Sequence, residues 1–112
     1  MLTQVEDTNN VPYFVQKLQR ERDEDAYYDN FTYEEHANSA KMEVLLRAAY
    51  NAKHIYPVQT RKTRLVIKVE QVVGFSEEAH QKMKQFALDH NFVRSKMTAN
   101  GSYRYTYIKP KN

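Results

Sequence analysis

The chain contains no cysteine and no tryptophan, and only two glycines and three prolines among 112 residues. Without cysteine, neither a disulfide nor a thiolate metal site can form, and small secreted domains commonly depend on such cross-links. A cytoplasmic location is therefore expected. The two glycines, Gly74 and Gly101, stand too far apart for a phosphate-cradling loop or a dinucleotide fingerprint. No serine sits in a nucleophile elbow. Apolar runs are a few residues long, against the roughly 20 that cross a bilayer. The stretch from Met1 to Asn10 is polar and acidic, unlike a signal peptide. His36, His54, His80 and His90 are scattered. His36 and His54 are expected on the same face of one long helix, but a rise of about 1.5 Å per residue holds them too far apart to share an ion. These absences predict a protein that is not an enzyme, carries no cofactor or metal, and has no membrane partner.

What is present suffices for one core. Hydrophobic residues make up 41% of the chain and run along its whole length. A domain of this size buries roughly two-thirds of the surface its unfolded chain exposes. Residues 1–10, polar and without periodicity, are expected to be a flexible N-terminus, and residues 11–112 a single α+β domain. The net charge of +3 conceals a division. From Met1 to His36 three basic residues (Lys17, Arg20, Arg22) stand against nine acidic ones, a net of −6; the remainder carries +9. Such a split points either to an anionic partner for the basic part or to an acidic segment that folds back on it. Richness in Tyr, Asn and Lys without Cys or Trp gives the composition the character of a bacteriophage or bacterial accessory protein.

Periodicity supplies the elements. Asn10 can cap a short helix begun by Val11 and Pro12, with Phe14, Val15 and Leu18 on one side. Thr32 and Glu35 have the spacing of a capping box, and good helix formers follow from Tyr33 to about Ile55, where Pro57 ends the helix. Met42, Leu45, Leu46, Ala49 and Tyr50 form its apolar band, widened by Ala37, Ala40, Val44 and Ala48. Leu65, Ile67 and Val69 alternate with Lys68 and Glu70, predicting a strand over Arg64 to Val73 that Gly74 breaks. Ser76 caps a second amphipathic helix to about Asn91, buried through Ala79, Met83, Phe86 and Ala87. Asn100-Gly101 between two alternating runs predicts a closing hairpin. The expected fold is α+β: two N-terminal helices, then a β-α-β-β unit with a three-stranded sheet. A winged helix-turn-helix fits less well, because a strand separates the long helix from the last one.

The hairpin holds the main functional candidate. A two-residue turn sets Thr98 opposite Tyr103, Lys96 opposite Tyr105 and Arg94 opposite Tyr107, with Phe92 near the end of that face. Val93, Ser95, Met97, Arg104, Thr106 and Ile108 occupy the other. Tyrosines interleaved with cations can stack bases and neutralise phosphates. Lys109 and Lys111 extend the charge, and Arg61, Lys62 and Arg64 can approach from the preceding linker. The competing reading is that these tyrosines cover the apolar band of the long helix. The leading expectation is a nucleic-acid-binding regulatory protein, with a preference for single strands, acting through Arg61, Lys62, Arg64, Arg94, Lys96, Tyr103, Tyr105, Tyr107 and Lys109. The alternative is a modulator or inhibitor of a host protein. It would use the acidic-aromatic segment Glu21, Asp23, Glu24, Asp25, Tyr27 and Tyr28.

Overall fold

The computed structural model describes residues 26–96 and 98–109. It is an α+β fold in which two helices lie against one face of a five-stranded antiparallel sheet. A short helical turn, Tyr28–Asn30, leads into α1, Tyr33–Ala49. Strands β1 (Tyr50–Ile55), β2 (Gln59–Thr60) and β3 (Arg64–Phe75) follow, then α2 (Glu77–Asp89), β4 (Phe92–Lys96) and β5 (Tyr103–Ile108). The sheet runs β1-β3-β5-β4, with β2 pairing the early part of β3 and β1 its later part.

The helix starts follow the sequence closely. The Thr32 hydroxyl accepts from the Glu35 N–H at 3.1 Å, and the Glu35 carboxylate accepts from the Thr32 N–H at 2.7 Å. That is the reciprocal capping box, and it satisfies two donors the first turn would otherwise leave bare. Ser76 caps α2 through the Ala79 N–H, with Glu77 and Glu78 at the positive end. The first predicted helix, from Val11, lies outside the described residues.

The sheet departs from expectation in three ways. The long helix stops at Ala49 instead of continuing to Ile55, and Tyr50–Ile55 becomes a strand. No proline or glycine forces this. Tyr50 turns extended (φ −109°, ψ 138°), and the Ala49 carbonyl accepts from Ser76 N–H at 2.9 Å. Pairing with β3 outweighs the helix propensity of this segment, as tertiary context can. It also places His54 on a strand, away from His36. Second, β3 runs through Gly74 to Phe75, with an irregularity opposite Asn51/Ala52 and a positive φ at Gln71. The sheet thus has five strands where three were expected. Third, Arg94 faces Tyr105, Lys96 faces Tyr103 and Phe92 faces Tyr107, two residues away from the two-residue-turn register. A longer connection replaces that turn. The Asn100 side-chain oxygen accepts from the Thr98 and Ser102 hydroxyls, and Gly101 adopts φ +86° with its carbonyl accepting from the Val72 N–H at 3.4 Å.

A slip of two residues preserves side-chain parity, where a slip of one would invert it. The tyrosine face is therefore the face predicted, and it is the one the helices cover. Met42, Leu46 and Ala49 of α1 and Met83 of α2 pack over Leu65, Ile67, Val69, Phe92, Tyr105 and Tyr107 in one core. The band on α1 is narrower than its composition suggested, since Ala37, Ala40, Val44 and Ala48 are exposed. No helix among the described residues is long and apolar enough to cross a membrane.

Candidate functional site

The covered face settles the place of the tyrosines. Tyr105 is 2% exposed and Tyr107 7%, so neither ring can receive a base, and the expected stacking platform is corrected on that point. Their hydroxyls find partners, as buried phenols must. Tyr105 shares a 2.6 Å hydrogen bond with the Tyr50 hydroxyl, and Tyr107 donates to the Glu35 carboxylate at 2.8 Å. Burial first, then the Glu35 carboxylate, pushes the Tyr107 phenol up to about 12. Burial lifts Tyr105 further still. Tyr103 is half-buried, stacked on Tyr50 at 6.5 Å.

Arg94 and Lys96 share this face yet remain exposed, on the strand that is outermost among the described residues. The Arg94 guanidinium lies over the Tyr103 ring at 5.0 Å, beside the Tyr50 and Tyr105 hydroxyls. Lys109 is exposed at the far end, where its ammonium donates to the Asn30 carbonyl at 2.8 Å. Lys62 is exposed in the turn between β2 and β3, its carbonyl accepting from the Asn30 side chain at 2.8 Å. The nine predicted residues are thus divided between two faces and two ends. They do not form one surface.

The opposite face of the sheet does gather charge. Strand alternation turns Arg64, Val66, Lys68 and Glu70 of β3 away from the helices. Lys68 stands directly across from Arg104 of β5, which faces Ser95 of β4. Arg61, Arg64, Val66, Lys68 and Arg104 line a groove of about 270 Å³. Val66 is only 4% exposed, although the helices are on the other side of the sheet. Val66 is flanked in the sheet by Gln59 of β2 and Thr106 of β5. Like charges directly opposed across a strand pair are unfavourable, and among the described residues no carboxylate is within ion-pair distance of these four side chains. Arg61 donates to the Gln59 side chain at 2.8 Å, whereas the buried Arg104 Nε has no partner among the described residues. Glu70, the next outward residue of β3, accepts from the Tyr56 hydroxyl at 3.3 Å.

Around the groove the face carries rings and apolar groups. His54, paired with Glu70, is exposed, and its ring is 5.8 Å from that of Tyr56. Val93 and Ile108 are each about half exposed. Sequence reasoning found Arg61 and Arg64 but missed Lys68, Arg104, His54 and Tyr56. The signal was available for the first two: both fall on the face opposite the apolar row.

Of the acidic-aromatic candidates, Glu21, Asp23, Glu24 and Asp25 lie outside the described residues. Tyr27 and Tyr28 are exposed, and Tyr28 stacks on His36 at 3.9 Å. Among the described residues, no three His, Cys, Asp or Glu side chains cluster as metal ligands. A larger groove of about 450 Å³ lies between the start of α1 and the end of α2. Its best-placed carboxylate, Glu35, is already held by Thr32 and Tyr107. In comparisons with known proteins the chain matches no family model, and no curated protein or solved structure matches it.

Proposed function

We propose that the protein is a non-catalytic nucleic-acid-binding protein whose contact surface is the face of the sheet opposite the helices. One observation carries this reading: Lys68 and Arg104 are opposed across β3 and β5, with Arg64 and Arg61 beside them and, among the described residues, no carboxylate lining the groove. Holding these cations together costs electrostatic energy in the free protein, and a phosphate bound between them would relieve it. Guanidinium groups suit phosphate because their planar donors can bond two oxygens at once. His54 and Tyr56 offer ring surfaces beside the groove, and Val93 and Ile108 offer apolar contact. That mixture suits an unpaired strand whose bases are free to stack.

Fluorescence anisotropy with a labelled single-stranded oligonucleotide, titrated over a range of salt, tests the proposal. Each phosphate contact on a single strand contributes about 0.7 to the slope of log affinity against log salt. Replacing Lys68 and Arg104 with alanine should therefore flatten the slope by about 1.4. The melting transition should stay nearly unchanged, since both side chains lie outside the core. Absence of binding at low salt, or an unaltered slope in the double variant, would overturn the reading.

A further inference from the structure

A second groove, of about 270 Å³, lies on the helix side between α2 and the edge strand β4. Its walls are Met83, Ala87, Leu88 and Phe92, and its charged lining is Lys84 and Arg94 with the His80 ring. Among the described residues no carboxylate lines it. Leu88 is 75% exposed at its lip, a large apolar side chain left in water. Among the described residues no strand pairs with the outer edge of β4, the strand beside the groove. The Ile108 N–H donates to the Asn91 carbonyl at 3.2 Å. Antiparallel ladders alternate bonded and non-bonded pairs, so Val93 and Ser95 bond towards β5. The main-chain groups of Phe92, Arg94 and Lys96 then point outwards. Those same three residues direct their side chains to the groove side.

We infer that this edge binds an extended acidic segment of a partner protein, which adds as a further strand antiparallel to β4. Main-chain bonding to an open edge supplies affinity, and alternate side chains supply specificity. The register fixes the chemistry. The inward positions of the added strand fall opposite Phe92, Arg94 and Lys96, so the first is apolar, seated against Phe92 and Leu88. The other two are carboxylates facing Arg94 and Lys96, with Lys84 above. A second copy of this chain fits poorly, because pairing β4 with β4 sets basic groove against basic groove. The inference is independent of the nucleic-acid reading, which concerns the other face.

The probe is a fluorescein-labelled peptide with the core Glu-Thr-Glu-Thr-Leu, which places leucine opposite Phe92 and glutamates opposite Arg94 and Lys96. Its charge-reversed counterpart, Lys-Thr-Lys-Thr-Leu, is the control. Saturable binding of the acidic peptide alone is expected, with protection of the Arg94 and Lys96 amides from hydrogen exchange. Affinity should fall at least tenfold in Arg94→Glu, and similarly in Leu88→Asp, whose exposed position leaves the fold intact if the first variant is unstable. Lys68→Ala with Arg104→Ala should leave peptide affinity unchanged while weakening oligonucleotide binding, so the two readings fail separately. Equal binding of both peptides, unchanged exchange at Arg94 and Lys96, or displacement of the peptide by the oligonucleotide would each overturn the inference.

Discussion

Strand β5 has two sides, and their surroundings differ. Tyr103, Tyr105 and Tyr107 point to the helices, while Arg104, Thr106 and Ile108 point away from them. The inward row is fixed by packing and by phenol hydrogen bonds to Tyr50 and Glu35. The outward row meets no second layer among the described residues, and Arg104 lies across from another cation. Alternating aromatic and basic residues along one strand look alike as a binding motif on either side. Burial tells them apart: the rings lie under the helices, whereas among the described residues no helix or second sheet covers the cations.

The largest expected effect breaks this comparison if it fails. Tyr105→Ala should destabilise the fold by about 3–5 kcal/mol in urea melts, as large aromatic-to-alanine changes in cores do. It also strands the Tyr50 hydroxyl. Arg104→Ala, one position away, should alter stability by no more than about 1 kcal/mol. Equal effects would mean that the two sides of β5 are not distinct. Next comes the connection that holds β5 in register. At Gly101, with φ +86°, an added Cβ would sit 3.3 Å from the Val72 carbonyl oxygen. Gly101→Val should cost about 1–3 kcal/mol by the same melts, because a β-branched side chain is strained at positive φ.

Much of this was legible in the sequence, and the failures have physical causes. The capping box at Thr32 and Glu35 and the cap at Ser76 depend on residues three apart, so local sequence suffices. The apolar row of β3 was visible by its period. The segment Tyr50–Ile55 was not, because its partners, from Val69 to Phe75, are distant in sequence and helix propensity there is adequate. The sharing of one side by Tyr103, Tyr105, Tyr107 and Arg94 was also legible, since parity survives a two-residue slip. Which side the helices would cover was not, because alternation alone assigns no direction. That ambiguity moved the candidate site from the tyrosines to Lys68 and Arg104.

A smaller effect tests how α1 is joined to the covered side. Thr32→Ala should cost about 1 kcal/mol by removing the cap on α1. Glu35 also accepts from Tyr107, so the cost should shrink in a Glu35→Gln background, where the reciprocal box is already weakened. A double-mutant cycle from melting curves measures that coupling. Strict additivity would mean that the Thr32 and Glu35 halves of the box act independently.

The gentlest perturbation is pH, and its sign differs at the two ends of the scale. Burial raises the Glu35 carboxyl, but the Thr32 N–H, the Tyr107 hydroxyl, the Thr32 hydroxyl and the Lys109 charge outweigh it, leaving the pKa below the ordinary value of 4.5. A carboxyl depressed by folding contributes stability that is complete above its unfolded pKa. That contribution is lost as pH falls from about 4.5 through the lower folded value. Tyr107 behaves oppositely. Its folded pKa of about 12 exceeds the ordinary 10, so its contribution is complete below pH 10 and is lost as pH rises from 10 to about 12. Between those limits neither group changes charge, and stability should be flat on their account. Glu35→Gln should remove the acid-side loss and also lower the Tyr107 pKa, since the carboxylate that disfavours phenolate is gone. Phenolate absorbance during an alkaline titration reads this directly. If Tyr107 titrates at the same pH with and without the Glu35 charge, burial alone sets its pKa. The link from the α1 cap to the tyrosine row would then be steric and not electrostatic.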